Sequence, residues 1–343
     1  MAKAVKLADI AKVLGVSTVT VSKALSDQKG VGDDLRAQIK KVASEMGYIP
    51  VSTRIQEEKK YYNIGVIVSQ RYFDQTYSFY WLMYQELATK ALNKNCFTLL
   101  EAVSIEDENQ CNSPKLFDGK RINGLVILGN MSDDYLKMIN KEAKVPVVYM
   151  DFINKTQVCD SVISNGYGGM YALTDYICSI GHKKIAYVGT LFATDSITDR
   201  FFGYCRALYE HGIGVRKEYV LDDRDLKTSE MVDFNEVLPE DMPTAFICNC
   251  DYIAAKLIET LTSKGYRVPE DISVTGFDDY IPIGGPDMQL TTYTVDVKEM
   301  ARRVIKLLVK RMDGNDFPKD ISIVNGKVII GETTCAPSDT LSE

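Results

Sequence analysis

Over the first fifty residues the apolar positions keep a helical period. Leu7, Ile10, Ala11 and Leu14 stand at i, i+3, i+4 and i+7, one face of an α-helix. Gly15 follows, and glycine ends helices because it enters the left-handed backbone region without a Cβ clash. The next stretch, VSTVTVSKALS from Val16 to Ser26, is rich in β-branched residues that favour an extended chain. Its spacing argues for a helix instead. Ser17 can cap a first turn, Val16 and Val21 fall at the two positions of a hydrophobic staple, and Val21, Ala24 and Leu25 form an inward face. A third helix opens at Asp33 and Asp34. It carries a stripe of Leu35, Ile39, Val42, Ala43 and Met46, and it ends at Gly47 before Pro50.

Helix, glycine turn, helix is the pattern of a helix-turn-helix. Thr18, Val19 and Thr20 begin the second helix without being needed inside. Their small side chains allow close approach to the floor of a DNA major groove, where threonine can bond a base edge and both residue types can touch a thymine methyl. Ser22 and Lys23 can reach phosphate or guanine. A three-helix module used only for packing or protein contacts would show the same apolar pattern. Charge adds a distinction. Residues 1–60 hold 11 Lys+Arg against 7 Asp+Glu, whereas the remaining 283 residues hold 29 against 40. A small basic head on an acidic body confines any polyanion contact to the head.

From Asn63 the period changes to short apolar runs alternating with helical patterns. NIGVIVS, CFTLLEAV, NGLVILGN and VPVVYMD are predicted as buried strands, with a crossover helix between the first two carrying Leu82, Leu87, Ala88, Ala91 and Leu92. Near Ser161 the theme restarts, and YVLDD, TAFICNC and ISVTGFDD follow as further strands. This βαβ texture predicts two doubly wound parallel-sheet lobes with a cleft at the C-terminal ends of the strands.

The cleft lacks a catalytic constellation. No G-x-G-x-x-G loop, P-loop or G-x-S-x-G elbow is present, and the chain has only two histidines, His182 and His211. His182 lies at a helix-to-strand corner and is expected to be a turn residue. The eight cysteines are scattered, and the closest pair, Cys248 and Cys250, lacks further ligands at zinc spacing. No cofactor and no metal are expected, and the cysteines are expected to be reduced thiols. Neither a signal-peptide pattern nor an apolar run of roughly 20 residues is found, so the expectation is a cytoplasmic protein with no membrane partner. Binding chemistry does collect at predicted strand ends: Tyr72 and Phe73, Asp151, Ser164 and Asn165, Asp251, Asp278 and Asp279, with Arg200 near a helix start. Carboxylates and a guanidinium can hold vicinal hydroxyls while aromatic rings cover the apolar face of a sugar. An aspartate at a strand end can equally cap the next helix.

KLADIAKVLGVSTVTVSKALS and VGDDLRAQIKKVASEMGYIP resemble, almost without interruption from Lys6 to Pro50, the DNA-binding head of the lactose-repressor (LacI/GalR) family of bacterial regulators. The resemblance extends to about residue 335 through SNGYGGMYALTDYICSIGHKKIAYVG, DRFFGYCRAL, GYRVPEDISVTGFDDY and LTTYTVDVKEMARRVIKLL. It implies an α/β chain: a helix-turn-helix three-helix head, then two lobes of periplasmic-binding-protein type I. The implied segments are a head at 1–50, a hinge at 51–62, a first lobe at 63–163 and 293–322, and a second lobe at 164–292 and 323–343.

The implied DNA contacts are Lys6, Ser17, Thr18, Val19, Thr20, Ser22 and Lys23 on the head and Ile55 in the hinge. The implied effector contacts include Arg200, Asp278 and Asp151. The sequence departs from the family pattern at Ser164–Asn165 and Cys250–Asp251, where the family has Asp-Asn and Asn-Asp, which makes the expected pocket less polar. It departs again in the hinge, which has no leucine to wedge into a minor groove. Glu57 falls near that place, and Ile55 is the only aliphatic residue after Val51. The function implied is a regulator of carbohydrate metabolism, expected to be a repressor. It would bind a palindromic operator as a homodimer and a small sugar or glycoside between its lobes. The alternative is a cytosolic sugar-binding protein without sequence-specific DNA function.

Overall fold

A computed structural model describes residues 5–48, 60–73, 78–154, 158–226, 230–280 and 288–338. The chain divides into two compact units, Met1–Tyr61 and Tyr62–Glu343. The segment predicted as a hinge, including Ile55 and Glu57, lies outside the described residues apart from Lys60 to Tyr62.

The described residues of the first unit form three helices, α1 (Leu7–Leu14), α2 (Thr18–Leu25) and α3 (Asp33–Glu45). Gly15 ends α1 at φ +65°, and Ser17 accepts the Thr20 N–H at 3.0 Å, so the β-branched stretch is held helical by its cap. Ile10, Ala11, Val21, Ala24, Ile39 and Ala43 form the buried core. Asp27 accepts from Arg36 and Lys40, and Arg36 also donates to Gln28 O, tying the α2–α3 connection to α3.

In the second unit a six-stranded parallel sheet contains β1 (Tyr62–Ser69), β2 (Cys96–Val103), β3 (Gly124–Leu128), β4 (Val147–Met150), β5 (Asp160–Ser164) and β11 (Ile321–Val324) in the order β11-β5-β4-β3-β1-β2. One face is covered by α4 (Phe79–Leu92) and α11 (Val297–Met312), the other by α6 (Asp133–Glu142), with α5 (Ile105–Gln110) beside its rim. A four-stranded parallel sheet contains β6 (Ile185–Val188), β7 (Val220–Leu221), β8 (Ala245–Cys248) and β9 (Ser273–Thr275) in the order β7-β6-β8-β9. Helices α7 (Gly166–Ser179) and α8 (Asp195–Glu210) cover one of its faces, and α10 (Asp251–Ser263) with the short α9 (Phe234–Val237) covers the other. A two-stranded antiparallel pair, β10 (Thr292–Tyr293) and β12 (Val328–Ile329), lies beside β9. Among the described residues the chain passes between the two sheets at three places: β5 to α7, β10 to α11, and β11 to β12. At the far end of β5, Arg311 grips the buried Asp160 through two hydrogen bonds of 2.9 and 3.1 Å, locking α11 to the sheet.

Two expectations are corrected. CFTLLEAV is a strand, but it is the sheet's edge and not a buried one; its residues alternate in exposure, with Phe97 and Leu99 outward. In α4 the side chains facing the core are Met83, Leu87 and Ala91, while Leu92 is exposed, because the helix sits on the sheet about one residue round from the predicted stripe.

Candidate functional site

On the head, Lys6, Ser17, Thr18, Val19, Ser22 and Lys23 are exposed and Thr20 is half-buried. Val19 is 60% exposed, an apolar β-branched side chain held outward by a helix whose inward positions are filled by Val21 and Ala24. The Thr20 hydroxyl lies 2.8 Å from Ser17 Oγ, so it completes the cap as well as facing outward. Lys6 precedes α1, where its backbone N–H donates to Asp9 at 2.8 Å.

In the second unit the C-terminal strand ends of both sheets bring together a polar cluster. Arg200, from the first turns of α8, is buried; its Nη2 donates to Asp278 at 3.0 Å and its Nη1 to Asn249 O at 2.5 Å. The guanidinium lies 3.9 Å from the Phe277 ring centroid. Its buried Nε has no hydrogen-bond partner among the described residues, so one donor remains for an incoming acceptor. From the other sheet, Asp151 accepts the Tyr80 hydroxyl at 3.1 Å, and Tyr80 stacks on Tyr72 at 4.2 Å between centroids. The Tyr72 hydroxyl donates to Asn130 O. Gly129, at φ +77°, lies beneath the two rings: a Cβ there would come within 2.8 Å of both.

Burial pushes the Asp151 carboxyl up to about 6, with Arg200 partly offsetting it. Burial pushes Asp278 up to about 7 despite Arg200, and the Asp151 charge adds to the rise. Two carboxylates beside a guanidinium suit a ligand rich in hydroxyls, which donate to the former and accept from the latter.

Other predicted residues are placed differently. Asp251 is buried and turned inward, accepting from Thr292 Oγ1 at 2.6 Å and from the Tyr280 N–H at 2.8 Å. Asn165 caps α7 by accepting the Gly168 N–H, and its amide donates to Asn325 across two of the three connections. Ser164 is buried at the end of β5 beside Val324. Phe73 packs edge-on against Trp81. Cys250 precedes α10, half-buried, within electrostatic reach of Asp278. Tyr80, Asn249 and Phe277 join the cluster without a sequence motif that marks them. Tyr80 is one of seven aromatic residues from Tyr72 to Tyr84, and only the fold shows which of those rings meets Asp151. His182 is buried at its corner, 2.8 Å from both Thr244 Oγ1 and Cys335 O, and burial lowers its pKa. All eight cysteines are free. Among the described residues no helix is long and apolar enough to cross a membrane.

Residues 6–51 match the family model for bacterial regulatory proteins of the lacI family, and residues 174–334 match a periplasmic binding protein-like domain. The chain belongs to the lacI family. Among lacI-family and related regulators, it is 25% identical over 328 residues to the HTH-type transcriptional repressor PurR of Vibrio vulnificus (strain CMCP6), covering 95% of this chain and 97% of that one. It is 26% identical over 335 residues to the PurR of Mannheimia succiniciproducens, covering 94% and 96%. In fold it is similar to the transcriptional regulator CelR in its cellobiose complex, with TM-score 0.67 at 23% identity and coverage of 96% and 99%. It is also similar to the lac repressor dimer bound to operator and the anti-inducer ONPF, with TM-score 0.67 at 23% identity and coverage of 97% and 100%. As a lacI-family chain with a DNA-binding head and an effector-binding body, it is a ligand-responsive transcriptional repressor.

Proposed function

We propose that this repressor reads a near-palindromic operator as a homodimer and releases or grips it in response to a sugar-like effector bound between the two lobes. The carrying observation is the cleft cluster, in which Tyr80–Asp151 on one lobe faces Arg200–Asp278 on the other. Thr18, Val19 and Thr20 read base edges, while Lys6, Ser17, Ser22 and Lys23 meet the phosphate backbone or flanking groups. Arg200, Asp151 and Asp278 hold effector hydroxyls, Tyr72 and Tyr80 cover an apolar face, and Cys250 lines the wall. Ser164, Asn165 and Asp251 act one step back, at the connections on which the lobes turn. The first lobe takes residues 63–163 and 293–322 and the second 164–292 and 323–343, following a head at 1–50 and a hinge at 51–62.

A second copy suits the exposed apolar edge made by Phe97 and Leu99 of β2 with Trp81 and Leu92 of α4. The protein acts by binding and not by catalysis, in the cytoplasm with the chromosome. A ligand that favours one lobe angle shifts the population of that form, and only by its difference in affinity for the two. The test is a thermal-shift screen of neutral and acidic sugars and glycosides on the full chain. A hit should raise the melting temperature by mass action, and Arg200→Ala should abolish that rise. A hit that stabilises Arg200→Ala equally would contradict the assignment.

A further inference from the structure

The second lobe carries a guanidinium that the cluster above does not use. Arg224 follows β7, at the opposite end of the β7-β6-β8-β9 row from β9 and Asp278. Its Nε and Nη2 donate to Asp223 Oδ2 at 3.0 and 2.6 Å. Asp223 is fully buried and also accepts the Thr190 N–H at 2.8 Å and the Asn249 side-chain amide at 3.0 Å. That same Asn249 gives its carbonyl to Arg200. One asparagine therefore meets Arg200 directly and Arg224 through Asp223. Burial alone would raise the Asp223 carboxyl, but Arg224 and the N–H donors outweigh it and hold it below its usual range. Asp223 thus holds Arg224 in place by two hydrogen bonds.

A guanidinium gripped from its Nε side keeps its Nη1 end open. Arg224 Nη1 makes no hydrogen bond among the described residues, although the side chain is only 27% exposed. It lies within electrostatic reach of Tyr80 on the first lobe and of Cys250 on its own. The cleft wall of the second lobe therefore runs from Asp278, past Arg200 and Cys250, to a second, pre-positioned cation. A half-buried guanidinium with an open fork end gains more from an anionic oxygen than from a hydroxyl, and the fork matches carboxylate and phosphate geometry. The carboxylates at the other end repel an acid and so fix which way round it lies.

We propose that Arg224 is a specificity-determining residue of the effector site, and that the effector is a sugar carrying an acidic group, a carboxylate or a phosphate ester, bound at Arg224 while its hydroxyls meet Asp151 and Asp278. This rests on the reading of the cleft as a sugar site. The test measures binding of neutral hexoses, the matching hexuronates and the matching hexose phosphates to the full chain by calorimetry. Removing Arg224 alone would leave Asp223 buried without its partner. The variant is therefore the paired Asp223→Asn, Arg224→Gln, alongside Arg224→Lys.

The expected result is that a uronate or a phosphate ester binds at least tenfold more tightly than its neutral parent. The paired variant should lose that difference, and Arg224→Lys should keep part of it. Uronate binding alone identifies a carboxylate; phosphate-ester binding alone identifies a phosphate. Neutral hexoses binding as tightly as their acidic partners would overturn the inference and leave the sugar reading standing. An acid preference that survives in the paired variant would remove Arg224 from the site. No binding by any of the three groups would overturn the sugar reading itself.

Discussion

Ser17 shows how one side chain settles a conflict between local propensity and fold. Its hydroxyl holds the Thr20 N–H, and Ser17→Ala should cost the head about 1 kcal/mol, read as a lower midpoint for its helical signal. Thr18→Ala should change base preference by about 1–3 kcal/mol at one position of the half-site. Lys23→Ala should instead weaken binding to all sequences alike and flatten the salt dependence by about one ion. A binding-site selection repeated with each variant separates the two effects.

Asp151 makes a prediction in pH. Its folded carboxyl is raised to about 6 from an ordinary value near 3.9, so the folded state binds the proton more tightly. The stability it contributes is whole below about pH 4 and is lost as the pH rises through 6. Wild-type protein should therefore lose up to about 2–3 kcal/mol relative to Asp151→Asn between pH 4 and pH 8. Parallel melting curves at the two pH values would show it. Asp151 and Asp278 stand out in the sequence as carboxylates at strand ends, and Arg200 as a guanidinium near a helix start; a carboxylate at a strand end meets either a ligand or a helix terminus. Which of those two roles applied was not legible. Asp251 spends its carboxylate on Thr292 and a backbone N–H, and only the fold shows it.

At the scale of elements, the strands of the two parallel sheets were visible because strands with both faces covered appear as unbroken apolar runs. Exposure along β2 was hidden by the same rule, since an edge strand with apolar residues on its open side looks like a buried one. The two-residue strands β10 and β12 are too short to carry a period. The pairing of α7 with α8 is the tightest helix contact in the second lobe. Gly203 lets α8 approach so closely that a Cβ there would come within 2.2 Å of Tyr167 O and 2.9 Å of the Tyr171 N–H. Backbone cannot yield as a flexible side chain can. Gly203→Ala should therefore cost about 1–3 kcal/mol in chemical denaturation, and an unchanged midpoint would show that the helices can separate freely. Because α8 also carries Arg200, the same variant should weaken effector binding.

For the whole molecule, charge and architecture divide the labour. In the proposed function the basic head meets the polyanion, and the acidic body, whose two sheets are joined by three connections among the described residues, senses the small molecule. A dimer presents two recognition helices to half-sites about one helical turn apart, so effector control must act on how the pair is held. That claim is tested most directly by selecting bound duplexes from a random-sequence pool at low salt. The affinity for the winning duplex is then measured with and without the sugar found in the thermal screen. A palindromic winner is expected, with an affinity that changes at least fivefold when the sugar is present. Recovery of no preferred duplex, or of one whose affinity is indifferent to the bound sugar, would contradict it.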